Sequence, residues 1–337
     1  MRRETDFTLR PYKHSDARAV VKVLNAAAQS IHIQRAVVDN VGNVRLIHYV
    51  PLTSKKVVVT TTQNKVVGYA YLADKEQHII YEVGGAVHPD YWKKGIGTQL
   101  LTWAEKQAKS ISSYAPSGVK TVLQTNLYKS EEDAIQLFVE SGYTKIREWM
   151  HLAVELDKLP VVPPLPDNFH LREMDLEHDW DIVGSAMEEA FADHWGVISM
   201  SFSETVTTEE QMTNADIPED ETYSNTPGLC FLLMDKNHVA GGVLCNAKLV
   251  ESANMGRVGS LFVRPGYRRQ GAGRALMLMA FHAFWQQGVR RIITDTDANS
   301  FTGAPTFYTK LGMQEYRREL LFEKEIRPGK EVRRLSR

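Results

Sequence analysis

The stretch Val263–Leu276, VRPGYRRQGAGRAL, decides how this chain is read, because a looser copy, VHPDYWKKGIGTQL, stands at Val87–Leu100. The two align without a gap and share six of fourteen residues: Val, Pro, Tyr, both glycines and the closing Leu. Either one site has been built twice, or one fold has been duplicated and a single copy still works. Leu261, Phe262 and Val263 read as the end of a buried strand. Pro265 stops that strand, because it has no amide proton to give to a ladder. The chain then turns through GYRRQGAG and enters a helix at RALMLMAFHAFW. A strand, a glycine-containing turn and a helix amino terminus together form an anion site, since the first helical amides lack partners and point outward. Gly271 and Gly273 permit close backbone approach, and Arg268 and Arg269 add positive charge for phosphates. The string lacks the Gly-Lys-Ser/Thr of a P-loop and the third glycine of a dinucleotide fingerprint. A lone copy would read as a tight turn with solvated arginines.

The self-similarity extends outward from this pair. FTLR begins at Phe7 and FHLR at Phe169, each followed by apolar residues at helical spacing. VVVTTTQNKVVGYAYL and CFLLMDKNHVAGGVLC share one pattern: an apolar run, a polar turn carrying Asn64 or Asn237, and a second run through Gly68 or Gly241. Each is a hairpin. After each glycine stretch come a helical pattern, a short strand (TVLQTNL or RRIITDTD), a short helix closing at Gly142 or Gly312, and a last strand. The order strand, helix, hairpin, strand, helix, strand, helix, strand thus occurs twice. Between the halves lies LPVVPPLPDN, whose prolines make it extended and stiff. The expected boundaries are a first domain at 1–158, a linker at 159–167, a second domain at 168–326 and a basic tail at 327–337 that frays into solvent.

Composition agrees with two domains. The chain has 337 residues, too long for one ordinary core. Apolar residues at 43% and charged residues at 24% describe a soluble globular protein, with no run long enough to cross a bilayer. MRRETDFTLRPY carries charge but no apolar stretch or cleavage site, so a cytoplasmic location is expected. Cys230 and Cys245 lie in apolar stretches without metal-ligand spacing, so no metal is expected. A net charge of -1 gives no general field for nucleic acid.

The string Val-x-Pro, Arg268-x-x-Gly271-x-Gly273 and helix, inside this element order, resembles the GCN5-related N-acetyltransferase superfamily, as two tandem domains. Members such as mycothiol synthase look like the nearest architecture. The resemblance covers nearly the whole chain and implies an α/β (α+β) fold, each domain a mixed, mostly antiparallel sheet flanked by helices. It implies that the loop cradles the pyrophosphate of acetyl-CoA, the acyl donor, through Arg268, Arg269, Gln270, Gly271, Ala272, Gly273 and Arg274. The strand residues Leu261, Phe262 and Val263 would offer backbone groups to the acetyl carbonyl and pantetheine arm. Asn299 and Ser300 could bond to that arm, although loop polarity explains them equally. In the first half, Trp92 stands where the motif wants Arg or Gln. Val87, Lys93, Lys94, Gly95, Ile96, Gly97 and Thr98 remain as a candidate second cofactor site.

TGAPTFYTKLGM resembles the family's closing helix, in which a tyrosine four residues before the glycine is the general acid; here that is Tyr308, with Ala304 also in place. Aligned on the glycine, the first half has Phe138, which lacks the hydroxyl. With ordinary pKa values of about 10 for a phenol and about 8.5 for a thiol, full proton transfer to a leaving thiolate is uphill by roughly 2 kcal/mol, so hydrogen bonding is the expected role. Relatives often place a glutamate on the strand before the loop. Here Arg257, Gly259, Leu261 and Val263 are expected on one face, none a carboxylate, and gap-free alignment sets Glu82 opposite Val258 on the other face. A substitute base comes from WDIVGSAMEEAFADHWG. Trp180, Val183, Met187, Phe191 and His194 share one helical face, with Glu189 nearly opposite. His194 reads either as a hydrogen-bonded core residue or as a pocket-lining base; Asp193 beside it is a further candidate. ADHWG also resembles a stretch that recurs in relatives.

The expected function is direct acetyl transfer from acetyl-CoA to a primary amine of a small molecule or peptide, in the second domain. The chain would act as a monomer or homodimer, with no nucleic acid or membrane partner. A non-catalytic acyl-CoA-binding regulator is the alternative, favoured by the missing carboxylate and opposed by Tyr308.

Overall fold

A computed structural model describes residues 6–335 apart from 30–35, 39–43, 47–53, 77, 167, 199–224 and 250–251. The first half runs β1 (Phe7–Pro11), α1 (Ala17–Ala28), a small hairpin of β2 (Ala36–Val38) and β3 (Val44–Leu46), then β4 (Lys55–Thr61), β5 (Val66–Glu76), β6 (Ile80–Val87), α2 (Ile96–Ile111), β7 (Thr121–Tyr128), α3 (Glu132–Glu140) and β8 (Thr144–Glu155). The second half runs β9 (Phe169–Glu173), α4 (Trp180–Phe191), β10 (Phe231–Asp235), β11 (His238–Leu249), β12 (Ser252–Val263), α5 (Ala272–Gln286), β13 (Arg291–Asp297), α6 (Ala304–Lys310) and β14 (Gln314–Arg327). The repeated element order is present in both halves; the β2–β3 hairpin has no counterpart among the described residues.

The compact units do not follow the sequential cut at the proline segment. One comprises residues 1–147 with 319–332, the other 148–318 with 333–337. The first unit's sheet has the order β1, β4, β5, β6, β7, β14, and the second's β9, β10, β11, β12, β13, β8. Each half thus gives its last strand to the other unit. Glu319–Arg327 of β14 pairs antiparallel with β7, and Trp149–Glu155 of β8 with β13. All neighbours are antiparallel except β6 with β7 and β12 with β13. The proline segment lies within the second unit, where His282 Nδ1 donates to the Pro160 carbonyl at 3.0 Å and Leu165 packs on the core.

Helices form where the apolar spacing requires them. Val20, Val23 and Leu24 of α1 are buried against β4 and β5, while α5 buries Ala272, Leu276, Ala280, Phe281 and Phe284 against Val243, Val258 and Ile292. Removing one such phenyl ring from water is worth about 1.5–3 kcal/mol. The FTLR and FHLR repeats have a structural purpose. Arg10 donates two bonds to Asp16 at 2.7 and 2.8 Å, and Arg172 two to Asp179 at 2.6 and 2.8 Å. Each aspartate also accepts a backbone N–H just before its helix, so strand and helix are locked at the same corner twice.

The carboxyl-terminal tail is not frayed. Arg327 donates to the carbonyls of Ser112, Ala115, Pro116 and Val119 at the end of α2. Val119 bridges to Lys330, Arg333 is buried and the Arg334 N–H bonds to Val197. Of its basic side chains, Arg327 is spent on backbone carbonyls and Arg333 is buried, while Lys330 and Arg334 are exposed and held through their backbone.

Candidate active site

The two glycine loops have the same backbone. In the second, a 3-10 turn at Pro265–Tyr267 is followed by Arg269 at φ 65° and Gly271 at φ 85°; in the first, Pro89–Tyr91 is followed by Lys93 at φ 59° and Gly95 at φ 79°. The left-handed conformation suits Gly271 and Gly95, and each is an N-cap with no side chain to bond the first turn of α5 or α2. Those amides are left for an anion. Gly273 lies against α6: a Cβ there would meet the Phe307 ring at 3.6 Å, ordinary van der Waals contact. Ala272 and Ile96 point into their cores. Arg269 and Arg274 are exposed, and no ion pair engages either among the described residues. Gln270 donates to the Gly266 carbonyl at 3.1 Å.

Arg268 reaches across to α4. Its Nε donates to the Val263 carbonyl at 3.1 Å, its Nη2 to Ala190 at 2.7 Å, and its Nη1 and Nη2 to Asp193 at 2.7 and 3.2 Å. Arg264 adds a second tie, Nε to Glu189 at 2.7 Å. The motif arginine is thus bound to a carboxylate, and Arg269 and Arg274 carry the uncommitted charge. Trp92 in the first unit reproduces one of these bonds, Nε1 to the Val87 carbonyl at 2.7 Å. It has nothing with which to reach a helix. Lys93 lies 3.7 Å from Asp133, and Lys94 lies over the Tyr91 ring at 4.8 Å.

Strands β12 and β13 pair in parallel only at Met255–Arg257 with Arg291–Ile293, then separate toward the loop. The opening begins where Leu261, Phe262 and Val263 continue β12. The β11–β12 ladder skips Gly259, passing from Ser260 opposite Leu244 to Val258 opposite Cys245. This bulge breaks the expected alternation. Val258, Leu261 and Val263 pack toward α5, and Phe262 toward α4. It also shifts the comparison with the first unit by one residue. Val83 pairs with Leu72 as Val258 does with Cys245, so Glu82 corresponds to Arg257 rather than to Val258. Arg257 donates to Asp295 of β13 at 2.6 Å, whereas Glu82 accepts from Tyr71 at 2.8 Å and Lys75 at 3.0 Å.

Tyr308 is buried on α6 beside the opening. Burial pushes its phenol up to about 12, with the Thr294 hydroxyl acting in the opposite direction and the Asp295 charge adding to the rise. Thr294 itself donates to the Val258 carbonyl at 2.9 Å. Against a thiol near 8.5, proton transfer is then uphill by roughly 5 kcal/mol, which strengthens the case for hydrogen bonding to a developing thiolate. Phe138 occupies the matching place: its carbonyl accepts from Tyr143 as that of Tyr308 does from Met313, before glycines at φ 85° and 87°. The sequence offers no signal for Asp295 as the partner of Arg257, because the contact joins two strands 38 residues apart.

His194 lies past the end of α4 and not on its apolar face; its N–H bonds to the Phe191 carbonyl at 2.8 Å. Trp180, expected on the same face, is exposed. The imidazole is about two-thirds buried, edge-on to Phe191 at 5.0 Å and to Phe301 at 5.6 Å. Phe301 belongs to the loop before α6, which brings His194 to the Asn299–Ser300 segment. Within that segment the Asn299 N–H bonds to the Asp297 carboxylate at 2.8 Å, and the Ser300 hydroxyl meets that of Thr302 at 2.8 Å. Asp193 receives Arg268 and also lies 3.1 Å from His194 Nδ1. The guanidinium holds the Asp193 carboxyl below the usual range.

The first unit contains a cavity of about 1060 Å³ between β6, β7, α2 and α3. Val87, Lys93, Gly95, Gly97 and Thr98 line it, as does Phe138. Its charged lining is mostly acidic: Glu82, Glu131, Glu132, Asp133, Glu140 and Glu319 against Lys75 and Lys93. In the second unit, alignment of Phe138 with Tyr308 puts Phe301, Thr302 and Gly303 where Glu131, Glu132 and Asp133 stand.

This arrangement, an anion-binding turn beside parting parallel strands with a buried tyrosine at their side, defines an acyl-transfer fold. The family model described as acetyltransferase (GNAT) matches residues 34–143 and again 191–313. The chain belongs to that family and is an acyltransferase of the N-acetyltransferase type with two tandem copies of the fold. Mycothiol acetyltransferases are similar: that of Actinosynnema mirum is 24% identical over 265 residues, covering 76% of this chain and 79% of its own. That of Amycolatopsis mediterranei is 26% identical over 278 residues, covering 79% and 83%. A GCN5-related N-acetyltransferase from Sphaerobacter thermophilus superposes with TM-score 0.74 at 26% identity, over 97% of this chain and 98% of its own. A tandem GNAT protein from the clavulanic acid biosynthesis pathway has TM-score 0.71 at 17% identity, over 96% and 100%, and shares the fold. The family uses acyl-CoA. The residues fit such a thioester, with uncapped amides and exposed arginines for its phosphates and an opened strand edge for its arm. No described helix is long and apolar enough to cross a membrane.

Proposed function

We propose that the second unit transfers the acetyl group of acetyl-CoA to a primary amine of a small molecule or peptide, and that the first unit does not turn over. The observation that carries this reading is Tyr308, buried at the parting of β12 and β13 where the first unit has Phe138. The thioester supplies an electrophilic carbonyl and a thiolate leaving group. Amides at the start of α5, with Arg269 and Arg274, hold the phosphates; Leu261, Phe262 and Val263 hold the arm by their backbone, with Asn299 and Ser300 on the facing loop. His194 accepts the proton that the amine loses as its nitrogen bonds to the carbonyl carbon. Tyr308 donates a hydrogen bond to the sulfur as the carbon–sulfur bond breaks.

The name of the relatives favours a small-molecule acceptor. In the first unit, Val87, Lys93, Lys94, Gly95, Ile96, Gly97 and Thr98 form a second, weaker acyl-CoA site, since the turn is kept but acidic side chains crowd it. Acetyl transfer across an amine panel by wild type and Tyr308→Phe tests the assignment. A fall in kcat of about 100-fold in the variant, with the acetyl-CoA KM within threefold, is expected. Equal kcat values would overturn it.

A further inference from the structure

The sequence alone assigns Arg268 to phosphate and offers His194 and Asp193 as separate base candidates. The structure joins them. Asp193 Oδ2 accepts from Arg268 Nη1 at 2.7 Å, and Oδ1 lies 3.2 Å from Nη2 and 3.1 Å from His194 Nδ1. A carboxylate held by a guanidinium can only accept. The His194 nitrogen facing it must therefore be the donor, which leaves Nε2 with the lone pair. The ring is confined by Phe191 and Phe301, so the hydrogen bond and the two aromatic edges fix both tautomer and orientation. The brace itself is anchored on the backbone, because Arg268 also grips the carbonyls of Val263 and Ala190. Aligning Asp16 with Asp179 puts Ser30 opposite Asp193 and Ile31 opposite His194. With Trp92 opposite Arg268, the first half lacks all three members.

We propose that Asp193 is a positioning residue that keeps His194 in the Nδ1–H tautomer with Nε2 as proton acceptor, and that Arg268 serves to orient Asp193 rather than to bind phosphate. This rests on the assignment of His194 as the base. A tautomer held by an ionised partner needs no switch at the moment of reaction, and the imidazolium formed on proton uptake is stabilised by the same carboxylate. It also ties the base to the cofactor loop through one side chain.

Asp193→Asn breaks the arrangement while conserving shape. The remaining oxygen is claimed by the shorter Arg268 contact, so the amide nitrogen turns to His194 Nδ1 and forces the proton to Nε2. Two measurements on the full-length protein test this. With ¹⁵N-histidine labelling, the resonance lost in His194→Gln identifies the residue, and two-bond proton–nitrogen correlations give its tautomer. We expect Nδ1–H in wild type and Nε2–H in Asp193→Asn. Acetyl-transfer kinetics should show kcat reduced about 100-fold in both variants, with the acetyl-CoA KM within threefold. A residue that merely clamps the loop to α4 would raise that KM and leave the tautomer alone. An Nε2–H tautomer in wild type overturns the proposal without any variant having to fold. Undiminished kcat in Asp193→Asn, alongside a slow His194→Gln, overturns the positioning role alone. Undiminished kcat in His194→Gln overturns the base assignment beneath it.

Discussion

The loops at Pro89–Gly97 and Pro265–Gly273 share every backbone feature and differ in what their side chains reach. Turn, left-handed residues, uncapped helix and carbonyl bond from Trp92 or Arg268 are common to both. Only Arg268 continues to Asp193 and Ala190, and only the second unit has a phenol on the closing helix. An anion turn follows from glycine placement and strand ending, so a duplicated fold retains it for stability alone. The proposed chemistry requires residues on separate elements to meet, and among the described residues of the first unit Trp92 makes no such contact.

The largest expected effect comes from exchanging the closing-helix residues. Tyr308→Phe should cost about 100-fold in kcat, while Phe138→Tyr in that background restores nothing. Recovery in the double variant, measured by thiol release with a responsive amine, would show that the first cleft needs only a hydroxyl. Because the Tyr308 phenol is pushed up to about 12, it stays protonated through the working range. The kcat profile should therefore show no descending limb from this residue below about pH 11, and a limb near 10 that vanishes in Tyr308→Phe would contradict its burial. A smaller loss, about tenfold in kcat, is expected for Arg268→Trp, which imports the first unit's residue and keeps the bond to Val263. The reverse change, Trp92→Arg, should leave turnover as it is, since the sequence position aligned with Asp193 is a serine.

The smallest effect concerns the corners that the units share. Arg10 and Arg172 hold Asp16 and Asp179 below the ordinary carboxylate range. Their stabilisation is complete above about pH 4 and disappears as pH falls through the lower folded values. Asp16→Asn and Asp179→Asn should each cost about 1–2 kcal/mol in denaturant unfolding at pH 7, a penalty that shrinks as pH falls through the lowered folded values. A penalty independent of pH would show packing to be the cause.

Much of this was legible before the structure. Apolar periodicity and two glycine stretches specify the element order, because helix and strand signals are local. Tyr308 could be placed opposite Phe138 because Gly312 and Gly142 close equivalent turns. The exchange of β8 and β14 was hidden, since a strand's own sequence does not state which sheet it joins. The bulge at Gly259 was hidden as well: a gap-free alignment is off by one there, which paired Glu82 with Val258 instead of Arg257. Arg268 read as phosphate charge because its partner lies 75 residues earlier. The tail read as frayed because its basic residues gave no hint of the carbonyls that Arg327 caps.

The most direct test of one working copy places the same carboxylate at both turns. An Asp strains the left-handed backbone of Gly271 and Gly95 alike, and nothing lies within 4 Å of where either Cβ would go, so the two variants carry the same backbone cost and compare like with like. At each helix start the new carboxylate occupies the amides a phosphate would use. Steady-state acetyl transfer should show the acetyl-CoA KM raised at least about 100-fold by Gly271→Asp and changed less than about threefold by Gly95→Asp. Equal increases, or a larger one from Gly95→Asp, would contradict the assignment of turnover to the second unit.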